Sequence, residues 1–377
     1  MAATHQPLAL SRRALTAALA AACIAAAPAA HADPTVVLYT MGPGDDVFSR
    51  FGHAAICVRD ALTPEGRCFN YGTADFSTPA PLTWSILRGR GRFWVSVTAE
   101  PLMVQRYGPG EDRDLDAQTL RLDPAAARAL VARLDADATP ERREFIYHHY
   151  RDNCTTRIRD HLDAVTRGAL SGAREPGPAR TWRDETREGL ATSLPLLVAS
   201  DLLLGRRLDR PMTLREHLFL PRVFRAAVAS SLAAPPERVW RRQRPTEAAS
   251  PARARFVWLA LAALAGALSA LARRSLRRWP SAALLGLLGA FSTLLWAFAG
   301  VCALPELHLN EALLLLWPSD LAAPWFGARG RARYGTLRLA GLGAAAVLMA
   351  CGVLIQPLWG LWACVAAVWV GARLTAR

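Results

Sequence analysis

Cys154 is the residue whose neighbours best suit a chemical role. It follows Asp152-Asn153, which can cap a helix, and the predicted helix continues through Asp163. Unpaired backbone N–H groups and the helix dipole stabilise a thiolate at such a position, and the thiolate is the reactive form of cysteine. The same N–H groups can form an oxyanion hole. A buried, inert cysteine is the alternative interpretation.

His53 is the leading candidate for the base that a nucleophilic cysteine needs. It is a polar residue at the start of an apolar strand predicted over residues 53–58. Side chains alternate along a strand, so His53, Ala55 and Cys57 share one face. A structural histidine with its hydrogen bonds satisfied is the alternative.

The position of a third residue depends on how two strands pair. If Cys57 lies opposite Cys68 across a hairpin, then Asn70 projects on the side of His53. Asn70 would then orient the imidazole as in papain-like enzymes, and Asp75 is the alternative orienting residue. The sequence therefore predicts three catalytic residues: Cys154, His53 and Asn70.

Other polar residues support weaker hypotheses. Cys57 and Cys68 are expected to form a structural disulfide rather than to act as reactive thiols. A metal site made by His148-His149 and Cys154 lacks a companion ligand pair of known spacing. Asp45-Asp46 could bind a cation, but a solvated loop is favoured. We therefore expect neither a metal nor a cofactor.

The elements that must position these residues run in the order strands first and helices later, which predicts an α+β fold. Helices are expected after Asp123-Pro124 and from Cys154, and a capping box marks Thr213–Glu216. Strands are expected over residues 36–41, 53–58, 68–71, 93–98 and 115–122.

Composition narrows the class of protein. The 377 residues are 52% hydrophobic and carry a formal net charge of +14, with every one of the 45 basic residues an arginine. No basic tract is interleaved with stacking aromatic residues, as a nucleic-acid groove requires, so we expect no nucleic-acid partner. Seven cysteines are too few for a disulfide scaffold.

The first 32 residues have the pattern of a secretory signal peptide. Arg12-Arg13 precede the apolar stretch 14–27, and Ala30-His31-Ala32 is a cleavage site of the A-x-A type. An uncleaved anchor helix is the alternative. An exported chain can form disulfides.

The C-terminal third is expected to be an all-α, multi-span membrane domain over residues 256–377, joined by a linker over 236–255. Arginine-rich loops follow the first and third candidate spans, and the positive-inside rule places them in the cytoplasm. The second of these loops is expected to contain Arg329, Arg331, Arg333 and Arg338. Residues 33–255, which comprise the domain over 33–235 and the linker, then lie outside the cytoplasm. The candidate spans are Phe256–Ala272, Ser281–Leu304, Leu307–Phe326, Leu337–Ile355 and Leu358–Ala372.

The third candidate span is the least regular. It contains Pro318 and Asp320, so a re-entrant or surface segment is the alternative to a crossing. Polar residues within or beside a membrane segment are functional candidates, and helix–helix hydrogen bonding is the ordinary alternative. Those at the start of this segment are Glu306, His308, Asn310 and Glu311.

Several motifs together resemble the Lnb N-terminal periplasmic domain over roughly residues 35–225. The most specific are Gly52-His53-Ala54 and Asn153-Cys154-Thr155-Thr156, and Met41–Asp45, Phe69–Thr73 and Leu214–Pro221 also fit. The resemblance implies a fold related to circularly permuted papain-like (NlpC-like) enzymes. It also implies that His53 and Cys154 are catalytic, whereas Asn70 follows from strand alternation alone.

The family resemblance implies a lipoprotein N-acyltransferase in the bacterial inner membrane with its N-terminal domain in the periplasm. Such an enzyme moves an acyl chain from a phospholipid to the α-amino group of a diacylglyceryl-cysteine lipoprotein. The expected partners are the phospholipid donor, the lipoprotein acceptor and the membrane. Two alternatives remain: a membrane-tethered cysteine hydrolase of envelope peptides or peptidoglycan, and a non-catalytic envelope scaffold.

Overall fold

The computed structural model describes residues 33–170, 180–246, 249–274 and 279–374. The predicted signal peptide, residues 1–32, lies outside the described residues. The described chain consists of a sheet-containing region up to residue 246 and a helical region from residue 253 onward.

One antiparallel sheet of seven strands organises the first region, in the order β6-β4-β3-β2-β1-β5-β7. The five strands predicted from sequence are all present, although the last ends at Thr119 rather than near residue 122. The strands are β1 (Thr35–Met41), β2 (His53–Arg59), β3 (Arg67–Thr73), β4 (Arg92–Ala99), β5 (Leu115–Thr119), β6 (Glu144–Ile146) and β7 (Glu237–Trp240).

Helices cover both faces of this sheet, with a π-helical turn at Arg106–Gly110 and a 3-10 turn at Arg206–Asp209. Asp123 caps α3 by accepting from the Ala126 N–H at 2.8 Å, as its position before a proline predicts. The helices are α1 (Pro79–Leu87), α2 (Glu100–Gln105), α3 (Pro124–Asp137), α4 (Cys154–Val165), α5 (Trp182–Leu190), α6 (Leu194–Leu203), α7 (Leu214–His217) and α8 (Pro221–Ser231).

Alternate residues of the central strands enter two different cores. One face of β2, which includes Ile56, packs with residues of α3, α4 and α8. The other face carries Ala55 and Cys57, which pack with Met103 and Tyr107. The register pairs Cys57 with Cys68, and the two are joined by a disulfide. The strand pairing and the disulfide expected from sequence are therefore confirmed.

The segment expected to be a linker, residues 236–255, begins with a strand. Glu237–Trp240 forms β7 and pairs with β5 at the edge of the sheet. Arg238 fixes this strand through two ion pairs. One is with Asp114, just before β5, at 2.7 Å, and the other is with Asp116, within β5, at 2.5 Å. An arginine of the expected linker therefore holds an edge strand of the sheet at this position.

The region from residue 253 to residue 374 is helical. Two of its helices, α9 and α10, are long and apolar enough to cross a membrane. The helix α12 carries four arginines in its first half, and α13 has 16 residues. Short 3-10 turns lie at Pro305–Leu307 and Pro318–Trp325. The helices are α9 (Arg253–Arg274), α10 (Trp279–Val301), α11 (Ala312–Leu315), α12 (Ala328–Ala350) and α13 (Trp359–Leu374).

The third candidate span, Leu307–Phe326, is not a continuous helix. Prolines at 318 and 324 lack the N–H that a helix needs, and the segment forms α11 and a 3-10 helix instead. It runs antiparallel along α10, where Trp296 Nε1 donates to the Leu316 carbonyl at 2.8 Å. Gly289 provides the space for close contact with the Leu321 backbone.

Arg338 does not lie in an arginine-rich loop, as the charge pattern suggested, but within α12. It is fully buried, and its Nη2 donates to Asp320 Oδ2 and to the Leu315 carbonyl, both at 2.8 Å. The Tyr334 hydroxyl also donates to Asp320 at 2.8 Å. This buried ion pair therefore joins α12 to the broken segment and satisfies one of its carbonyl groups.

Candidate functional site

Asn153 fixes the start of α4, immediately before Cys154. Its Oδ1 accepts from the Thr155 and Thr156 N–H groups, both at 2.9 Å, and its own N–H donates to the Thr156 hydroxyl at 2.8 Å. Its Nδ2 donates to the carbonyls of His149 (2.8 Å) and Phe219 (3.1 Å). Because every polar group of this buried side chain has a partner, the backbone on either side of the cysteine is held rigidly.

The Cys154 thiol is free and 8% exposed. Burial acts to raise its pKa, but the neighbouring His53 lowers it by its charge and by a hydrogen bond. The Ala54 N–H and the Thr155 hydroxyl also donate toward the sulfur, and the net pKa is lowered to about 7. A substantial fraction of the thiol is therefore thiolate at neutral pH.

The His53 ring is held by a chain of two hydrogen bonds. Its Nε2 lies 2.5 Å from Asn70 Oδ1, and Asn70 Nδ2 donates to the Tyr107 hydroxyl at 2.8 Å. Asn70 is buried. The structure thus brings together the three residues predicted from sequence, Cys154, His53 and Asn70.

This hydrogen-bond chain assigns the proton on the imidazole. An amide oxygen only accepts, so His53 Nε2 must donate to Asn70 Oδ1. In the neutral ring the other nitrogen, Nδ1, then carries the lone pair. A ring nitrogen with a free lone pair can take a proton from a thiol beside it.

Two glycines allow this geometry. Gly52, directly before His53, has φ of +85°, and a Cβ there would lie 2.8 Å from the Met41 carbonyl oxygen. Gly72 lies opposite the ring on β3, and a Cβ there would lie 2.5 Å from His53 Cε1. The imidazole therefore rests directly against the backbone of β3.

The expected oxyanion hole has fewer available N–H donors than the sequence suggests. The Thr155 and Thr156 N–H groups are occupied by Asn153, and the Arg157 N–H donates to the Asn153 carbonyl at 3.1 Å. Within the described part of the chain, the Cys154 N–H has no hydrogen-bond acceptor. It is the helix-start donor that remains for a developing oxyanion.

The weaker alternatives do not converge on the thiol. Asp75 accepts from the Ser77 N–H and hydroxyl in an exposed turn. Asp45 forms ion pairs with Arg242 (2.7 Å) and Arg244 (3.1 Å). In the ranges that the structure describes, no group of three or more His, Cys, Asp or Glu side chains is placed to hold a metal ion.

His148 and His149 lie just before the cysteine helix in different surroundings. His149 packs between aromatic rings, with the Phe51 centroid at 4.3 Å, and burial lowers its pKa to about 4. His148 Nε2 lies 3.2 Å from Glu306 Oε2, and Arg151 donates to the same carboxylate at 2.9 Å. Glu306 therefore connects the helical region to the segment that leads into Cys154.

The other polar residues near Glu306 join the same two regions. Asn310 Nδ2 donates to the Leu202 carbonyl at the end of α6, at 2.7 Å. Glu311 forms an ion pair with Arg206 at 3.1 Å and accepts from the Gln356 N–H at 2.9 Å. His308 Nε2 donates to the Cys302 carbonyl at 3.1 Å, within the connection that follows α10. These contacts show a docking role for Asn310 and Glu311.

Two residues of the site escape the sequence reasoning. Tyr107 lies in a π-helical turn 37 positions after Asn70, and nothing in the intervening sequence indicates that they meet. Gly72 stands in a motif already noted, but its role depends on the register of β2 and β3. The alternation that places Asn70 beside His53 would also have placed residue 72 opposite the ring.

The antiparallel α+β fold with a helix-start cysteine, a histidine and an orienting amide defines a class of site that can form and cleave acyl–sulfur bonds. Residues 27–188 match the family model of the Lnb N-terminal periplasmic domain. The resemblance seen in the sequence motifs is therefore confirmed. No curated protein and no solved structure matches the chain.

Proposed function

We propose that this protein is a membrane-bound thiol acyltransferase that transfers a fatty acyl chain from a phospholipid to the N-terminal amine of a diacylglyceryl-cysteine lipoprotein. The observation that carries the proposal is the Cys154 thiol, with its pKa lowered to about 7, beside a His53 ring that Asn70 holds at 2.5 Å. The family match to a periplasmic Lnb domain supports a role in the cell envelope.

In the first half-reaction, Cys154 Sγ attacks the carbonyl carbon of a phospholipid ester. The negative charge that develops on the carbonyl oxygen is stabilised by the Cys154 N–H. The bond between the carbonyl carbon and the glycerol oxygen then breaks. The proton that His53 Nδ1 took from the thiol passes to that oxygen, and a lysophospholipid leaves.

In the second half-reaction, the α-amino group of the lipoprotein attacks the thioester carbonyl. His53 Nδ1 accepts the proton that the amine loses, and the carbon–sulfur bond breaks. The released thiolate becomes the nucleophile for the next cycle, which gives ping-pong kinetics. Asn70 keeps Nδ1 directed at the sulfur in both halves, because its hydrogen bond to Nε2 fixes the ring.

Anchoring in the membrane suits a reaction in which both substrates are lipids. The helices α9 and α10 can cross a membrane, and we propose that α12, α13 and the broken segment at 307–326 complete five passes of the inner membrane. A reporter fused after Arg255 should then lie in the periplasm and one fused after Arg377 in the cytoplasm. Finding both on one side would contradict an odd number of passes.

A thioester trap tests the chemistry. The purified full chain is incubated with phospholipid carrying a labelled acyl chain, without an amine acceptor, and we expect a hydroxylamine-sensitive label on Cys154. Cys154→Ala removes the nucleophile and should abolish the label. His53→Ala should lower the labelling rate on the order of 10²-fold, the usual contribution of a general base. Arg121→Ala, a substitution at an exposed residue outside the site, is the control and should label normally.

The acceptor distinguishes the proposal from its alternatives. Adding a diacylglyceryl-cysteine peptide should discharge the thioester and produce the N-acyl peptide, which mass spectrometry detects. Release of free fatty acid in place of the N-acyl peptide would identify a hydrolase. Normal labelling of the Cys154→Ala protein would exclude the nucleophilic mechanism.

A further inference from the structure

A cavity of about 430 Å³ lies between the sheet-containing region and the helical region. Its walls include Tyr150 and Arg151, which lead into α4, and Arg206-Arg207 from the turn after α6. Leu309 and Ile355, which lie in the connections after α10 and after α12, also line it. The other lining residues are Trp182, Leu208, Arg210 and Glu306. The cavity is therefore formed where the sheet-containing region docks on the connections that follow α10 and α12.

Four arginines face this cavity against one carboxylate, Glu306. Arg151 pairs with Glu306 at 2.9 Å, Arg206 pairs with Glu311 at 3.1 Å, and Arg210 is paired with Glu216. Arg207 is exposed and forms no ion pair with any described residue. The lining therefore keeps an excess of positive charge, which suits an anion, and guanidinium groups bind phosphate through paired N–H donors.

Part of the cavity lining is apolar. Leu309 is 61% exposed and Ile355 is 42% exposed. Leu309 has φ of +54°, in the left-handed region that leucine rarely adopts, and the Arg206 N–H donates to its carbonyl at 3.2 Å. The ligand that matches such a lining carries both a phosphate and hydrocarbon.

We propose that this cavity binds the phosphate of a membrane glycerophospholipid, with Arg207 and Arg151 contacting the phosphate and Leu309 and Ile355 contacting the start of the acyl chains. The proposal rests on the proposed function, because such a lipid would be the acyl donor. Tyr150 precedes Cys154 by four residues, which limits their Cα separation to about 14 Å. A residue of the cavity wall and the thiol therefore belong to the same short segment of the chain.

The hydrogen bonding around Glu306 gives the cavity a fixed inner wall. His148 and Arg151 both contact the Glu306 carboxylate, and the Gly205 N–H donates to the Glu306 carbonyl at 2.7 Å. Gly205 has no room for a Cβ against the His308 carbonyl. The two regions therefore meet in close contact here, and Arg151 and Arg206 beside this contact are held by Glu306 and Glu311 before a ligand arrives.

The test measures binding to the full chain carrying Cys154→Ala, so that turnover cannot contribute. Dihexanoyl phosphatidylglycerol below its micelle concentration is titrated by calorimetry, with inorganic phosphate and dihexanoylglycerol as separate arms. We expect the phospholipid to bind at least about 10-fold more tightly than either, because each of these carries only one half of the matching chemistry. Arg207→Gln should weaken phospholipid binding about 10-fold, and Leu309→Ser should weaken it while leaving inorganic phosphate unaffected.

Arg121→Gln is the matched control, because Arg121 is exposed, lies outside the cavity and forms no ion pair with any described residue. Unchanged phospholipid affinity in both Arg207→Gln and Leu309→Ser would overturn the site. Inorganic phosphate binding as tightly as the phospholipid would overturn the lipid assignment. Neither result would affect the thioester test at Cys154, and loss of the thioester would leave the binding measurement valid, so the two proposals fail separately.

Discussion

The imidazole of His53 lies against the bare backbone of Gly72, so closely that a Cβ at residue 72 would come within 2.5 Å of His53 Cε1. The contact exists because β2 and β3 pair with Cys57 opposite Cys68, which brings residue 72 across from residue 53. The opposite side of the ring is limited by Tyr107, whose centroid is 5.4 Å away. The ring therefore has little freedom to move.

Gly72→Ala should disable the site without unfolding the domain. The added methyl group must displace the His53 ring, and a displacement of about 1 Å can cost on the order of 10²-fold in rate. The rate of thioester formation at Cys154 measures the effect. Gly343→Ala, where a Cβ meets nothing within 4 Å, is the control. Normal activity of Gly72→Ala with an unchanged melting temperature would contradict the role given to this contact.

Alkylation of Cys154 should follow a titration near pH 7. Because His53 and nearby donors lower the pKa of this thiol to about 7, the thiolate forms, and the iodoacetamide rate rises, as the pH increases through 7. An unperturbed cysteine would titrate near 8.5. In His53→Ala the midpoint should move upward, since the largest stabilising partner of the thiolate is gone. Peptide mass spectrometry separates Cys154 from Cys302, Cys351 and Cys364.

Asn70 and Tyr107 should differ in the size of their effects. Asn70→Ala removes the acceptor that orients His53, and we expect kcat/KM to fall on the order of 10²-fold. Tyr107→Phe keeps the ring contact and removes one hydrogen bond to Asn70, so the loss should stay below about 10-fold. Equal losses in the two variants would show that the hydroxyl, rather than the amide, positions the imidazole.

The buried pair of Arg338 and Asp320 should respond unequally to single and double substitution. Arg338→Met leaves the Asp320 carboxylate buried without its cation, and removal of one partner of such a pair costs about 3–5 kcal/mol. Replacing both, with Arg338→Met and Asp320→Leu, should recover most of that stability. Thermal unfolding in detergent measures each variant. A double variant less stable than both single variants would contradict this account.

The catalytic arrangement could be predicted in part because it depends on local rules. Asn153 caps a helix as its side chain favours, and strand alternation with the disulfide partners places Asn70 beside His53. Tyr107 could not be found in this way. It reaches Asn70 through a π-helical turn, and the sequence gives no measure of how such a turn directs a side chain.

In the helical region, too, contacts between distant residues could not be predicted from the sequence. Hydropathy identifies α10 because its residues are almost all apolar, but it treats Leu307–Phe326 as one more span. Trp296 and Arg338 satisfy carbonyl groups of that broken segment, and these partners come from other helices. The count of arginines likewise assigns Arg338 to a loop, because it does not show that the Arg338 guanidinium donates a hydrogen bond to the buried Asp320 carboxylate.

The strand β7 is the last part of the sheet to be synthesised, and it covers the outer edge of β5. In a chain that lacks residues 237–240, the outer edge of β5 has unpaired N–H and C=O groups, and such an edge can pair with another chain. The first helix able to cross the membrane begins soon after β7, at Arg253. In the proposed topology, the sheet is therefore completed only shortly before the first membrane helix is made, and a chain truncated before Trp240 should expose an aggregation-prone strand edge.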